Sequence, residues 1–259
     1  MRGMIGAVLA LALSAGVAEA ASCSSSSGAF QGWKPQMAAE MKAKGIGSRG
    51  IAALMATSYS TGTIRVDRNQ HFFHLSLDQF MAKRGAAGII ARGRSLKTAN
   101  AALFARLEKR YGVPAGPLIA IWGMETGFGA VTGSQPTISA VATLSYDCRR
   151  TDYFTDQLYA ALKLVDRGTL SSGTRGAMHG EVGQTQFLPK NILLYGADGD
   201  GNGSVNLNSK ADALASTANF LKGQGWGSGS YRAGSFASWN AATVYQKALA
   251  IIATRIDGG

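Results

Sequence analysis

The sequence predicts a mainly α-helical fold, on three observations. Apolar residues recur at three- and four-residue intervals in several separate stretches. Ser, Gly and Pro fall where such helices would start and stop. The long apolar–polar alternation of a large sheet is missing. With 46% apolar residues over 259 positions, the chain can bury a sizeable core. That excludes a disordered tail and suits one domain, or one domain plus a smaller arm.

The first twenty residues, "MRGMIGAVLALALSAGVAEA", have a basic start at Arg2, an apolar core from Ile5 to Leu13 and an Ala18-Glu19-Ala20 end. This three-part pattern marks a secretory signal peptide. The apolar core is shorter than the roughly 18–20 residues a bilayer span needs, and no later stretch qualifies. An exported protein beginning near Ala21, with no membrane span, is expected. Removing the segment deletes one Arg and one Glu and leaves the net charge at +11. A basic surface suits a polyanion, and export argues against nucleic acid. The basic residues (Arg65, Arg68, Lys83, Arg84, Arg92, Arg94) are dispersed rather than gathered in an arm, so a solvated helix surface accounts for them as well as a binding role does.

The two cysteines, Cys23 and Cys148, most simply form one disulfide in an oxidising compartment. It would close a loop worth roughly 4–5 kcal/mol in the chain-entropy model. The rival use is lipid attachment at Cys23. Against it, Ala20-Ala21-Ser22 lacks the leucine usual three positions before a lipidated cysteine.

Residues 21–28, with "SSSSG", read as a flexible linker. Phe30, Trp33, Met37 and Met41 then share a helical face, with Gly45 as a stop. "SRGIAALMATS" (48–58) is a second helix, capped by Ser48. "STGTIRVDRNQ" (60–70) is polar and irregular, with a short strand expected at Thr63–Val66. His71 and His74 in "HFFH" have metal-like spacing, although packing is the plainer reading. "SLDQFMAKRG" and "RSLKTANAALFARLEKRYG" are helices, the latter unbroken to Gly112. Late in the chain, "GWGSGSYRAGS" (225–235) reads as turns, and "SWNAATVYQKALAIIATRIDGG" as a last helix.

One helix carries a carboxylate among apolar residues. "GVPAGPLIAIWGMETGFG" opens with Pro114 and Pro117, tolerated in a first turn because the missing N–H has no partner there. Leu118, Ile121, Trp122 and Glu125 follow at helical spacing on one face. Glu125 lies in the last turn, where the helix dipole disfavours negative charge. Burial and dipole both raise a carboxyl pKa, which suits a general acid. A buried structural Glu held by backbone donors fits the same facts equally well.

Five blocks carry more information in order than singly: "IWGMETGFGAVTG" (121–133), "ATLSYDCRR" (142–150), "GEVGQTQFLP" (180–189), "DGDGNGSVNL" (198–207) and "ASTANFLKGQGW" (215–226). Together they resemble the bacterial lytic murein transglycosylases of the B type, glycoside hydrolase family 103. The resemblance implies a lysozyme-like helical core with a helical N-terminal part and few short strands. It divides the chain into signal peptide (1–20), linker (21–28) and transglycosylase domain (29–259), with a helical arm (29–112) and a core (113–259). It also implies a periplasmic, monomeric enzyme acting on peptidoglycan glycan strands. The reaction would cleave the β-1,4 bond between N-acetylmuramic acid (MurNAc) and N-acetylglucosamine (GlcNAc). No cofactor is needed for that chemistry.

Residue by residue, the resemblance makes Glu125 the single catalytic carboxylate, acid first and base second. The paired carboxylates of most glycosidases would then be absent. Arg149, Arg150 and Tyr153 match positions near the sugar and the acidic stem peptides, where a guanidinium suits a carboxylate. Gln184 and Gln186 offer amide groups to sugar hydroxyls, Gln186 being the better match. Trp239 and Asn240, in the last helix, would close the cleft. "DGDGNG" fits the start of a calcium loop, but position twelve is Ser209 instead of Glu. The family's longer loop, ending at Asp212, gives Asp198, Asp200, Asn202, Ser204 and Asp212 as a ligand set for a weak structural Ca²⁺ within an insert at 198–212. A simple turn, with Asp212 capping the next helix, is the alternative.

Three features depart from the family. Ala177-Met178-His179-Gly180 stands where many relatives carry Ser-Trp-Ala-Gly, so a hydroxyl that would orient Glu125 is missing. Glu181 adds a second carboxylate, which near Glu125 would favour a lysozyme-type hydrolase. The region after Trp226 is short. A non-catalytic wall-binding or assembly protein is the other alternative.

Overall fold

A computed structural model describes residues 21–69, 75–227 and 231–259. The signal peptide and the His71/His74 pair lie outside the described residues. Those described are mostly helical, with one two-stranded antiparallel ribbon, β1 (Gln135–Pro136) on β2 (Arg175–Gly176).

The centre is helix α7 (Ala115–Thr126). From Ala115 to Met124 every residue is buried, so this helix is apolar all round rather than on one face. Such a helix must be enclosed on every side. Helix α12 (Thr243–Asp257) and helix α5 (Ala86–Ala99) pack against it. Gly116 permits the approach of α12: a Cβ there would sit 2.5 Å from the Ala253 carbonyl oxygen. A second layer consists of α8 (Thr137–Tyr146) and α9 (Thr151–Arg167), with α2 (Ser48–Met55) on α9 and α3 (Thr61–Arg68) on α8. Helix α10 (Pro189–Tyr195) bridges α9 and α11 (Lys210–Gly223), and α6 (Ala101–Tyr111) backs α11. Helix α4 (Leu77–Lys83) lies on α12 and α5. Helix α1 (Phe30–Ala43) brings Phe30 and Trp33 into an aromatic cluster with Tyr59 and Tyr146.

Several local expectations are corrected. The strand expected at Thr63–Val66 is helical, because Ser60 caps the Thr63 N–H and Thr63, Ile64 and Asp67 bury one face. Ser48 is not the cap of α2. The Asp166 carboxylate of α9 takes the N–H groups of Gly47 and Gly50 at 2.6 and 2.7 Å. The long helix expected to end at Gly112 breaks at Asn100, whose side-chain amide turns back to the Leu96 carbonyl. Trp239 and Asn240 precede α12 rather than lie within it.

Cys23 and Cys148 form the expected disulfide. Residues 21–28, expected as a flexible linker, are tied down by it. The Ser24 N–H also donates to the Tyr146 carbonyl at 3.0 Å, and the Tyr146 hydroxyl donates to the Ser26 carbonyl at 2.8 Å.

Candidate active site

Glu125 lies in the last turn of α7, and Gly127, after Thr126, takes the left-handed conformation that closes the helix. The turn is held in place by Thr126, whose hydroxyl donates to the Gln184 carbonyl at 2.6 Å and accepts the Gly129 N–H at 2.8 Å. The central helix thus delivers one carboxyl to a cleft of about 310 Å³. Tyr153, Glu181, Gln186, Trp239 and Asn240 share that cleft.

Two donors converge on Glu125 Oε1: Trp239 Nε1–H at 2.9 Å and the Tyr245 hydroxyl at 2.7 Å. Tyr245 is buried in the first turn of α12, against the Phe80 ring and under the Arg84 guanidinium. Burial raises the Glu125 pKa above the ordinary carboxylate range, and the Glu181 charge adds to it. The Tyr245 and Trp239 hydrogen bonds and Arg84 oppose the rise without cancelling it. The Tyr245 hydroxyl is itself pushed well up, by burial and by Glu125, so it stays a donor. The result is a carboxyl of fixed orientation that holds its proton to higher pH than an ordinary one, the arrangement a general acid needs.

Glu181 shows the opposite balance. Burial alone would raise it, but the His179 side chain and backbone N–H groups outweigh burial and hold it below its ordinary value. The His179 N–H reaches Oε2 at 3.0 Å, and Nδ1 lies 3.3 Å from Oε1. Two carboxyl groups of one cleft are therefore pushed apart in pKa.

The two arginines expected at the substrate both pair with Asp67. Arg149 Nε donates to Asp67 Oδ2 at 2.7 Å, and Arg150 pairs with Oδ1. Asp67 is almost wholly buried, and a buried carboxylate requires such partners. Its pKa is lowered: burial acts upward, and the two guanidinium groups more than compensate. Gln184 likewise has partners within the protein. Its oxygen accepts Trp122 Nε1–H at 2.8 Å and its amide donates to the Asn208 carbonyl at 2.6 Å. Gln186 does line the cleft, with a positive φ of 56° and its amide on the Gly183 and Thr132 carbonyls.

Sequence reasoning missed Tyr245, Asp67 and His179. Tyr245 falls at core spacing with Leu249 and Ile252, so nothing local sets it apart. Asp67 is 82 residues from Arg149, beyond any local pattern.

In the acidic loop, Asp198, Asp200 and Asp212 each turn an oxygen to a common point, all within 4.8 Å of one another. Asp212 is fully buried. Its two oxygens take the Gly199 and Asn206 N–H groups at 2.9 and 2.8 Å, which ties α11 to the loop. Asp198 takes the Gly203 and Gly201 N–H groups, which lower its pKa. Hard carboxylate oxygens gathered this way fit a Ca²⁺ ion.

Residues 29–243 match the family described as the transglycosylase SLT domain. The chain is 36% identical over 118 residues to membrane-bound lytic murein transglycosylase B of Escherichia coli (strain K12). That stretch is 45% of this chain and 33% of that protein, so the match spans about a third of the relative's length. The structure of SltB3 from Pseudomonas aeruginosa, in complex with NAG-anhNAM-pentapeptide, aligns with a TM-score of 0.82 at 24% identity, covering 89% of this chain and 80% of that one. The Escherichia coli lytic transglycosylase SLT35, in complex with calcium, aligns with a TM-score of 0.77 at 20% identity, covering 86% of this chain and 92% of that one. The fold is therefore the lysozyme-like one of these enzymes, as the five sequence blocks implied. With a match across most of its length, the chain belongs to the transglycosylase SLT domain family.

Proposed function

We propose that this protein is a peptidoglycan lytic transglycosylase. It cleaves the β-1,4 bond between MurNAc and GlcNAc and leaves a 1,6-anhydro-MurNAc end. The observation that carries this reading is Glu125: a partly buried carboxyl with a raised pKa, held at a cleft by two fixed donors. The SltB3 complex, with an anhydro-sugar peptide, supports the product type.

The steps follow from the site. Protonated Glu125 donates to the glycosidic oxygen, and the substrate's 2-acetamido carbonyl oxygen bonds to C1 as the C–O bond breaks. The Glu125 carboxylate then takes the proton of the MurNAc C6 hydroxyl, whose oxygen attacks C1 and displaces the acetamido oxygen. Trp239 and Tyr245 hold the carboxyl in place through both steps, and each stabilises the ionised form made between them. They take the orienting part that a serine at position 177 would otherwise have. Tyr153, Gln186 and Asn240 line the cleft as sugar contacts. Arg149 and Arg150 secure Asp67 and, partly exposed, remain open to the acidic stem peptides.

Asp198, Asp200, Asn202, Ser204 and Asp212 would hold a structural Ca²⁺, as the calcium complex of SLT35 suggests. It would brace the loop before α11 and take no part in the chemistry. The enzyme works in the periplasm after export, its transglycosylase domain beginning near residue 29.

The test is digestion of purified peptidoglycan. Fragments with anhydro ends are expected, and Glu125→Gln should abolish them. Glu181 in the same cleft is the one observation favouring a hydrolase, which would give reducing ends instead.

A further inference from the structure

The steps above leave Glu181 without a task, yet its side chain is 23% exposed and faces the cleft. Its support is extensive. His179 contacts both carboxylate oxygens, one through its backbone N–H and one through Nδ1. Behind the ring, Nε2 lies 3.6 Å from Asp67 Oδ1, and Asp67 is anchored by Arg149 and Arg150. The backbone is fixed as well. The Ala177 N–H donates to the Glu181 carbonyl at 2.8 Å, and a Cβ on Gly176 would overlap that oxygen, at 1.8 Å. The other groups acting with Glu181 across the cleft are Glu125 and Tyr153.

Resting on the transglycosylase reading, we infer that Glu181 accepts the acetamido N–H of the sugar whose bond is broken, with His179 and Asp67 as positioning residues. When the acetamido oxygen bonds to C1, the amide nitrogen takes up positive charge and its N–H becomes strongly acidic. An ionised carboxylate only accepts hydrogen bonds, and a charge-assisted one is about twice as strong as a neutral one. The bond therefore tightens as the charge develops, which is what accelerates a step. No proton need leave: the N–H is shared while the oxygen–C1 bond exists and relaxes when the C6 oxygen displaces it.

The test pairs residue and substrate. Wild-type protein, Glu181→Gln, Glu181→Asp and His179→Gln are assayed on a synthetic glycan carrying the natural 2-acetamido group, and on one with 2-acetoxy, which keeps the carbonyl but has no N–H. On the acetamido glycan, Glu181→Gln should lower kcat roughly 10- to 100-fold with KM little changed, the loss of one hydrogen bond to a charged group. Glu181→Asp should retain more activity, and His179→Gln should fall between. On the acetoxy glycan, Glu181→Gln should have little effect, because the interaction is already absent. Equal losses on both glycans would overturn the inference and leave the transglycosylase reading standing. Reducing-end products that vanish in Glu181→Gln would overturn both, by making Glu181 a base for water. No cleavage of either glycan by the wild-type protein would also overturn both.

Discussion

The Tyr245 hydroxyl donates to Glu125 Oε1 across 2.7 Å, joining the first turn of the last helix to the last turn of the central one. The hydrogen bond opposes the upward pull of burial on Glu125. Tyr245→Phe should therefore do two things. It should lower kcat by roughly 10-fold, the cost of one such bond. It should also move the alkaline limb of the pH–rate profile to higher pH, because Glu125 then keeps its proton longer. A kinetic pH profile reads both.

The wild-type profile should be a broad bell. Glu125 has a raised pKa and must be protonated to act as acid, so activity is lost as pH rises through its folded value. Glu181 has a lowered pKa and must be ionised for the part inferred above, so activity falls as pH drops through its folded value. Glu181→Gln should remove the acid limb and move the alkaline one to lower pH, because the Glu181 charge no longer raises Glu125.

Glu125 should cost the protein stability. A carboxyl whose folded pKa is raised stabilises most below its ordinary value of about 4.5, and that contribution is lost as pH rises through the folded pKa. Glu125→Gln keeps an oxygen for Trp239 and Tyr245 and carries no charge. Its Tm should therefore exceed that of the wild type near neutral pH, by about 2–4 °C for each kcal/mol. The gap should close toward pH 4, as thermal melts at several pH values would show.

The Cys23–Cys148 disulfide spans 125 residues. The chain-entropy model gives roughly 5 kcal/mol for such a loop. Cys23→Ser combined with Cys148→Ser should lower Tm by roughly 10–20 °C. The Ser24 and Ser26 hydrogen bonds to Tyr146 should keep part of the N-terminal segment docked, to be read by hydrogen exchange.

Calcium should raise Tm, and chelation should reverse the rise. Three carboxylates make a weak site, so the effect should need roughly 0.1–1 mM Ca²⁺. Asp200→Asn is the cleaner variant, because buried Asp212 also holds backbone N–H groups. A melt unchanged by calcium would rule the site out.

The sequence made much of the site legible, for identifiable reasons. Helical spacing placed Glu125 at the end of an apolar helix, and the family resemblance pointed to Tyr153, Gln186, Trp239 and Asn240 around it. What escaped were pairings across long separations. Asp166 capping α2, Asp67 claiming both arginines and Tyr245 meeting Glu125 all join segments with no local relation. At 63–66 a short strand was expected in a polar, irregular stretch, and a helix capped by Ser60 with one face buried prevailed.

The most direct test of the central claim is a peptidoglycan digest in water enriched in heavy oxygen, read by mass spectrometry. If Glu125 serves as acid and then base for an internal hydroxyl, the new fragment ends carry no heavy oxygen and are one water lighter than hydrolysis products. Heavy oxygen in those ends would show that water is the nucleophile and contradict the account.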